Sequence, residues 1–123
     1  MDTLCMSAVA AFLTFAARVL SSEKAACYGG LVNGAKGQRK LLDVLHHDFD
    51  RAIRPDARHG ILNRKTNCYA FHSSVGFGAE FTSVDEAYDR LSLADGWLII
   101  AADGSGGIYR PEARWDATVE IVG

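Results

Sequence analysis

The chain of 123 residues has 49% apolar and 23% charged residue types and a formal net charge of −2. This length suits one domain and is too short for two well-buried ones, so we predict a single domain over residues 1–123. The composition excludes a disordered or coiled-coil chain. The near-neutral charge excludes a polycation that binds nucleic acid through overall charge alone.

The N-terminal segment is predicted to form a buried helix from about Thr3 to Leu20. Its uncharged run from Leu4 to Ala17 is shorter than the roughly twenty residues that cross a bilayer. Asp2 precedes this run, where a signal peptide carries basic residues, so we expect no membrane segment. Because the helix is apolar on nearly every face, it is either central to the core or covered by a second copy of the chain in a homodimer.

Two further helices are predicted before a polar loop over residues 55–67. A weak helix is expected from Ala25 to Val32. An amphipathic helix is expected from Gln38 to Ile53, because its apolar side chains recur at helical spacing. Pro55 ends this last helix.

From residue 68 the apolar pattern changes to that of β-strands. Two strands are predicted at 68–71 and 75–81, and the capping box from Ser83 to Glu86 opens a short helix after them. Gly76 and Gly78 in the second strand indicate a sheet edge, a bulge or the close approach of another backbone.

The segment from Trp97 to Ala102 is apolar on both faces and is predicted to be the central strand. It pairs through a glycine-rich turn at 103–107 with a strand at 108–110, and a last strand follows at 118–122. The turn has neither the Lys-Ser/Thr ending of a phosphate-binding loop nor a helix after it, so a hairpin connection is the better interpretation.

Helices therefore precede strands along the chain. This order predicts an α+β fold in which the N-terminal helices, over 1–54, pack on a small sheet. The sheet is mostly antiparallel and is formed by the C-terminal half, over 68–123.

The three cysteines indicate a reducing compartment, and we predict a cytoplasmic location. Their number is odd, no CxxC pair occurs, and all three lie among apolar neighbours, where free cysteine behaves as a small hydrophobic residue. No cofactor and no metal site are predicted.

Charge is distributed unevenly along the chain. Residues 36–65 have eight basic and four acidic side chains, whereas residues 66–123 have three basic and nine acidic ones. If the fold keeps these segments apart, the surface is dipolar and steers association with a charged partner.

Candidate catalytic residues are the histidines His46, His59 and His72. Imidazole beside carboxylates or guanidinium groups supports general acid–base catalysis, so a small metal-independent hydrolase or nuclease-like protein is one alternative. The spacing of these histidines is diagnostic of neither a metal site nor a Cys–His pair.

A second alternative is a nucleic-acid-binding protein that uses Arg58, Arg64 and Lys65. Aromatic residues are not interleaved with these basic side chains as single-strand binding requires, which makes this interpretation weaker. A third alternative is a homo-oligomeric structural module in which the apolar first helix is the interface.

Large aromatic and charged side chains cluster near the C-terminus and form the candidate surface for a partner protein. Trp, Tyr and Arg recur as anchors of protein interfaces. The residues of this predicted surface are Tyr109, Arg110, Arg114, Trp115 and Asp116.

The segment from Gly96 to Tyr109 resembles the strand, glycine turn and strand of SMI1/KNR4-like domains. The similarity covers 14 of the 123 residues. Many bacterial members of that superfamily are immunity proteins that neutralise toxins. The resemblance therefore implies a cytosolic protein-binding role, and an immunity- or inhibitor-type protein is the leading functional hypothesis.

Overall fold

The computed structural model describes residues 7–52, 64–92, 94, 96–110 and 119–122, with the backbone alone at 45–47, 50–52 and 119–122. Within these ranges the chain forms four helices and five strands. In chain order they are α1 (Ala8–Val19), α2 (Ser22–Gly29), α3 (Ala35–Ala52), β1 (Cys68–His72), β2 (Gly76–Phe81), α4 (Val84–Leu91), β3 (Leu98–Ala101), β4 (Gly106–Tyr109) and β5 (Val119–Val122). The predicted α+β arrangement is confirmed.

The five strands form one sheet in the order β2-β1-β3-β4-β5, and every neighbouring pair is antiparallel. β3 is the central strand, as its continuous apolar run predicted, and all four of its residues are buried. Its side chains enter two separate hydrophobic clusters. The sheet is therefore covered on both faces.

One face of the sheet carries α1, α2 and α3, and the other carries α4. Phe12 of α1 is fully buried, and its ring lies 5.2–5.6 Å from the rings of Tyr28, Phe71 and Phe77. α1 begins at Ala8, with the Ser7 hydroxyl accepting a hydrogen bond from the Ala10 amide. The predicted start of this helix at Thr3 lies outside the described residues.

The boundaries of α2 and α3 differ from the predicted ones because of local contacts. α2 begins at Ser22 because the Ser21 hydroxyl accepts from the Lys24 amide, 3.0 Å away, and so caps the helix. α3 begins at Ala35 rather than at Gln38. Gly37 packs so closely on the backbone of Leu31 that a Cβ atom there would overlap the Leu31 carbonyl.

Gly78 confirms the prediction of a bulge in β2. Ala70 pairs with Ala79 and Phe71 with Phe77, which leaves Gly78 as the extra residue of a bulge. Its φ of +84° favours glycine, and a Cβ atom there would overlap the side chain of Ala8. β2 is also the outermost strand on its side of the described sheet.

The predicted capping box of α4 is present. The Ser83 hydroxyl accepts from the Glu86 amide at 3.1 Å. The Glu86 carboxylate accepts in return from the amide of Thr82, one residue before the cap, at 3.4 Å. Among the described residues, no helix has both the length and the apolar character to cross a membrane.

Candidate functional site

The first half of α3 is rich in exposed cations and α4 is rich in exposed carboxylates, and the two helices cover opposite faces of the sheet. The cations are those of Lys36, Arg39 and Lys40, and the carboxylates are those of Asp85, Glu86 and Asp89. Each helix also has one exposed side chain of the other sign, Asp43 on α3 and Arg90 on α4, among the described residues. The charge of these two helices is therefore unevenly distributed between the faces, which gives this part of the surface a dipole.

A cleft of about 390 Å³ lies on the basic side, between the first half of α3 and the β1–β2 hairpin. Apolar and charged groups both line it. They include Arg39, Leu42, Asp43, Ser73, Gly76 and Phe77. The α3 residues are more than 29 positions from the hairpin residues, so no local sequence pattern reveals this cleft.

Packing holds the apolar part of the cleft in place. The Phe77 ring lies 4.8 Å from that of Phe71 and 5.2 Å from that of Phe12, and Leu42 packs on the edge of the same core cluster. The Gln38 side-chain amide donates to the Val32 carbonyl at 2.8 Å and anchors the start of α3. Both walls of the cleft are therefore attached to the hydrophobic core.

The first two turns of α3 form a basic rim beside the cleft, of which Arg39 lines the cleft itself together with the carboxylate of Asp43. Lys36, Arg39 and Lys40 are exposed, and no described residue neutralises them through a hydrogen bond or ion pair. α3 has no acidic residue in its first turn, so the positive end of its helix dipole at Ala35 adds to this potential.

Asp48 of α3 has a structural role. Its carboxylate lies 3.2 Å from the Lys24 ammonium and accepts a hydrogen bond from the Tyr28 hydroxyl, so it ties α3 to α2. Burial, followed by the hydrogen bond to Asp48, raises the pKa of Tyr28 well above its ordinary value.

The structure does not assemble the described part of the histidine and arginine cluster. Arg64 and Lys65 precede β1, and His72 ends it, so the strand alone separates the two groups by about 13 Å. Cys68, at the first position of β1, is equally far from His72. The His72 Nδ1 atom instead accepts from the Ser74 amide at 3.1 Å.

The other two candidate catalytic histidines lie outside the described side chains. His46 lies within α3, where only its backbone is described, and His59 lies outside the described residues. Among the side chains that are described, no three from His, Cys, Asp and Glu lie close enough together to hold a metal ion.

Among the described basic residues of the nucleic-acid alternative, Arg64 does not lie beside the basic rim of α3. The Arg64 guanidinium lies over the Tyr88 ring, 5.6 Å from its centroid, on the side of the sheet that α4 covers. Lys65 is exposed, and Arg58 lies outside the described residues. Arg64 is therefore separated by the sheet from the basic rim of α3.

The described part of the predicted C-terminal surface is largely internal. Tyr109 is 1% exposed, and its ring lies 5.6 Å from that of Phe49. Arg110 is half-buried, and its amide donates to the Trp97 carbonyl at 3.0 Å. The other three members of this surface, Arg114, Trp115 and Asp116, lie outside the described residues.

The glycine-rich segment after β3 forms the predicted hairpin connection. The Asp103 carboxylate accepts from the Ser105 amide at 2.9 Å, and hydrogen bonds with Ser105 lower the pKa of Asp103. The Arg18 guanidinium of α1 donates to the Ser105 carbonyl at 3.2 Å. This turn therefore packs against α1.

Two of the cysteines differ in environment, which corrects the expectation that all three are packed among apolar groups. Cys27 is exposed on α2. Cys68 is 1% exposed, and burial, followed by the charge of Glu86, raises the pKa of its thiol to about 12. Cys5 lies outside the described residues.

Alkylation with iodoacetamide at about pH 8 is expected to modify Cys27 quickly and to leave Cys68 unmodified in the folded protein, because only the thiolate is nucleophilic. Peptide mass spectrometry locates the label, and Cys27→Ser, which removes the exposed thiol of α2, is the control. Labelling of Cys68 at the rate found in urea would contradict its burial.

Comparisons with protein-family models, with curated proteins and with solved structures found no match to this chain.

Proposed function

We propose that this protein acts by binding another protein, as an immunity- or inhibitor-type protein does, and that it works in the cytoplasm. The observation that carries the proposal is the pairing of a partly apolar cleft with the basic rim of α3 on one side of the sheet. Protein interfaces combine an apolar centre with a polar, charge-complementary border.

The separation of charge across the sheet supports the same function. Lys36, Arg39 and Lys40 on one side and Asp85 and Asp89 on the other orient the molecule in the field of a charged partner. Such steering accelerates encounter with an oppositely charged surface and is weakened by salt.

The alternatives have less support among the described residues. A hydrolase or nuclease requires its histidines and arginines in one place, whereas Arg64 and His72 lie at opposite ends of β1. A homodimer through α1 requires an exposed apolar face, whereas Phe12 and Phe15 of that helix are buried in the core.

The proposed function is tested by affinity capture from a nuclease-treated lysate of the source cells at low salt, with three forms of the protein. Arg39→Glu reverses an exposed charge on α3, and Arg90→Glu makes the same change on α4 as a matched control. We expect the wild type and Arg90→Glu to retain one stoichiometric protein, and Arg39→Glu to retain at least about tenfold less.

The captured protein is then purified and its affinity measured by titration calorimetry at two salt concentrations. Tighter binding at low salt is the expected result. The absence of any stoichiometric protein partner, or the loss of all captured material after nuclease treatment, would overturn the proposal.

A further inference from the structure

We propose that the cleft between α3 and the β1–β2 hairpin binds an acidic segment of the partner protein, with one apolar side chain of that segment inserted between Leu42 and Phe77. This inference rests on the proposed protein-binding function and names its site and the chemistry of its partner.

Leu42 and Phe77 form the apolar floor of the cleft, which suits one apolar side chain of a ligand. Leu42 and Phe77 are partly buried and pack on the core, so each presents its remaining apolar surface on a fixed support. Gly76 leaves the hairpin end of the cleft open, with no atom within 4 Å of the position a Cβ would take. The volume of about 390 Å³ lies at the lower end of the range for ligand pockets, about 300–1,000 Å³.

The charges around the floor select an acidic ligand. Arg39 lines the cleft itself, and the exposed cations of Lys36 and Lys40 belong to the same part of α3. These three cations outnumber the one carboxylate, that of Asp43, which lines the cleft. None of the three is hydrogen-bonded or ion-paired with a described residue, so carboxylates of a bound segment gain attraction without displacing an internal partner.

The same lining favours a protein segment over a nucleic acid. Asp43 lies in the cleft, where its carboxylate accepts hydrogen bonds from peptide N–H groups. An apolar floor makes no hydrogen bonds or ion pairs with phosphates or riboses. It stabilises a bound aliphatic side chain by a free energy proportional to the apolar area that is buried.

The probe for this site is a fluorescein-labelled peptide of about twelve Asp and Glu residues with one central leucine, measured by fluorescence anisotropy on the full chain. The control peptide has serine in place of leucine. We expect the leucine peptide to bind at least about fivefold more tightly, from the burial of one aliphatic side chain. Arg39→Glu is expected to weaken it about tenfold, and Arg90→Glu to leave it unchanged.

Leu42→Ala removes part of the floor and is expected to abolish the preference for leucine over serine. Because Leu42→Ala also affects packing, Ser73→Trp provides a second test. Ser73 is an exposed turn residue that lines the cleft, and a bulky ring at this position is expected to block the entry of the leucine side chain. Far-ultraviolet circular dichroism of each variant establishes that it is folded before its binding is compared.

Three results would overturn the inference. One is equal binding of the leucine and serine peptides. Another is tighter binding of a labelled oligonucleotide of the same charge. The third is sedimentation of the wild type as a dimer that Arg39→Glu dissociates, because the occupant is then a second copy of this chain. A captured partner that binds Arg39→Glu and Leu42→Ala as well as the wild type would overturn the cleft assignment and leave the protein-binding function intact.

Discussion

Replacement of Trp97 by alanine is expected to lower the free energy of unfolding by about 3–5 kcal/mol, the range for removing a large buried aromatic side chain. Trp97 is 0% exposed and lies between the sheet and α4. Its ring meets that of Tyr88 edge to face at 5.5 Å, and its indole N–H donates to the Ala94 carbonyl at 3.0 Å. Alanine leaves a cavity and an unpaired carbonyl at this position.

The measurement is urea denaturation followed by circular dichroism at 222 nm, which does not depend on the fluorescence of the residue removed. Trp97→Phe is the matched control. It keeps a ring against Tyr88 but loses the hydrogen bond to Ala94, so we expect a loss of less than half that of the alanine variant. An unchanged unfolding midpoint for Trp97→Ala would show that this ring is not part of the core.

Gly107→Ala is expected to destabilise the fold by about 3 kcal/mol, although it adds a single methyl group. A Cβ atom at this buried position on β4 would lie 2.6 Å from the Ile99 carbonyl oxygen and 3.1 Å from the Phe15 ring. The methyl group must therefore separate β4 from β3 or displace α1 from the sheet.

Gly29→Ala is the control for this substitution, because it changes the same residue type where there is space. Gly29 is the last residue of α2, and no atom lies within 4 Å of the position of an added Cβ. Alanine is the better helix former, so this variant is expected to be as stable as the wild type or slightly more stable. Urea unfolding of both variants decides the point, and equal midpoints would contradict the tight packing at Gly107.

Local sequence patterns were sufficient to predict the order and type of the described elements. The apolar residues of β1, the alternating residues of β2, the capping box at Ser83 and the apolar run of β3 depend on interactions between near neighbours in the chain. For the same reason the glycine turn after β3 was identified as a hairpin. The start of α3 was predicted three residues too late, because Gly37 is a weak helix former, whereas the structure places it in the first turn of the helix.

The candidate site was predicted much less well than the fold. The sequence pattern correctly places Tyr109 at a strand, but it does not predict which face of that strand is covered by another element. Phe49 of α3 covers that face, so the Tyr109 ring is in the core and not on a surface. The surface proposed here instead joins Arg39 and Leu42 to Phe77, and nothing in the local pattern of either segment relates them.

Residue patterns within short stretches establish the α+β class, the central position of β3 and the uneven distribution of charge along the chain. The packing of the helices establishes that the cation-rich half of α3 and the carboxylate-rich α4 cover opposite faces of the sheet, that Trp97 is a core residue and that a cleft opens beside Arg39. Secondary structure follows from interactions within a few residues, whereas burial and proximity depend on which helix packs on which face of the sheet.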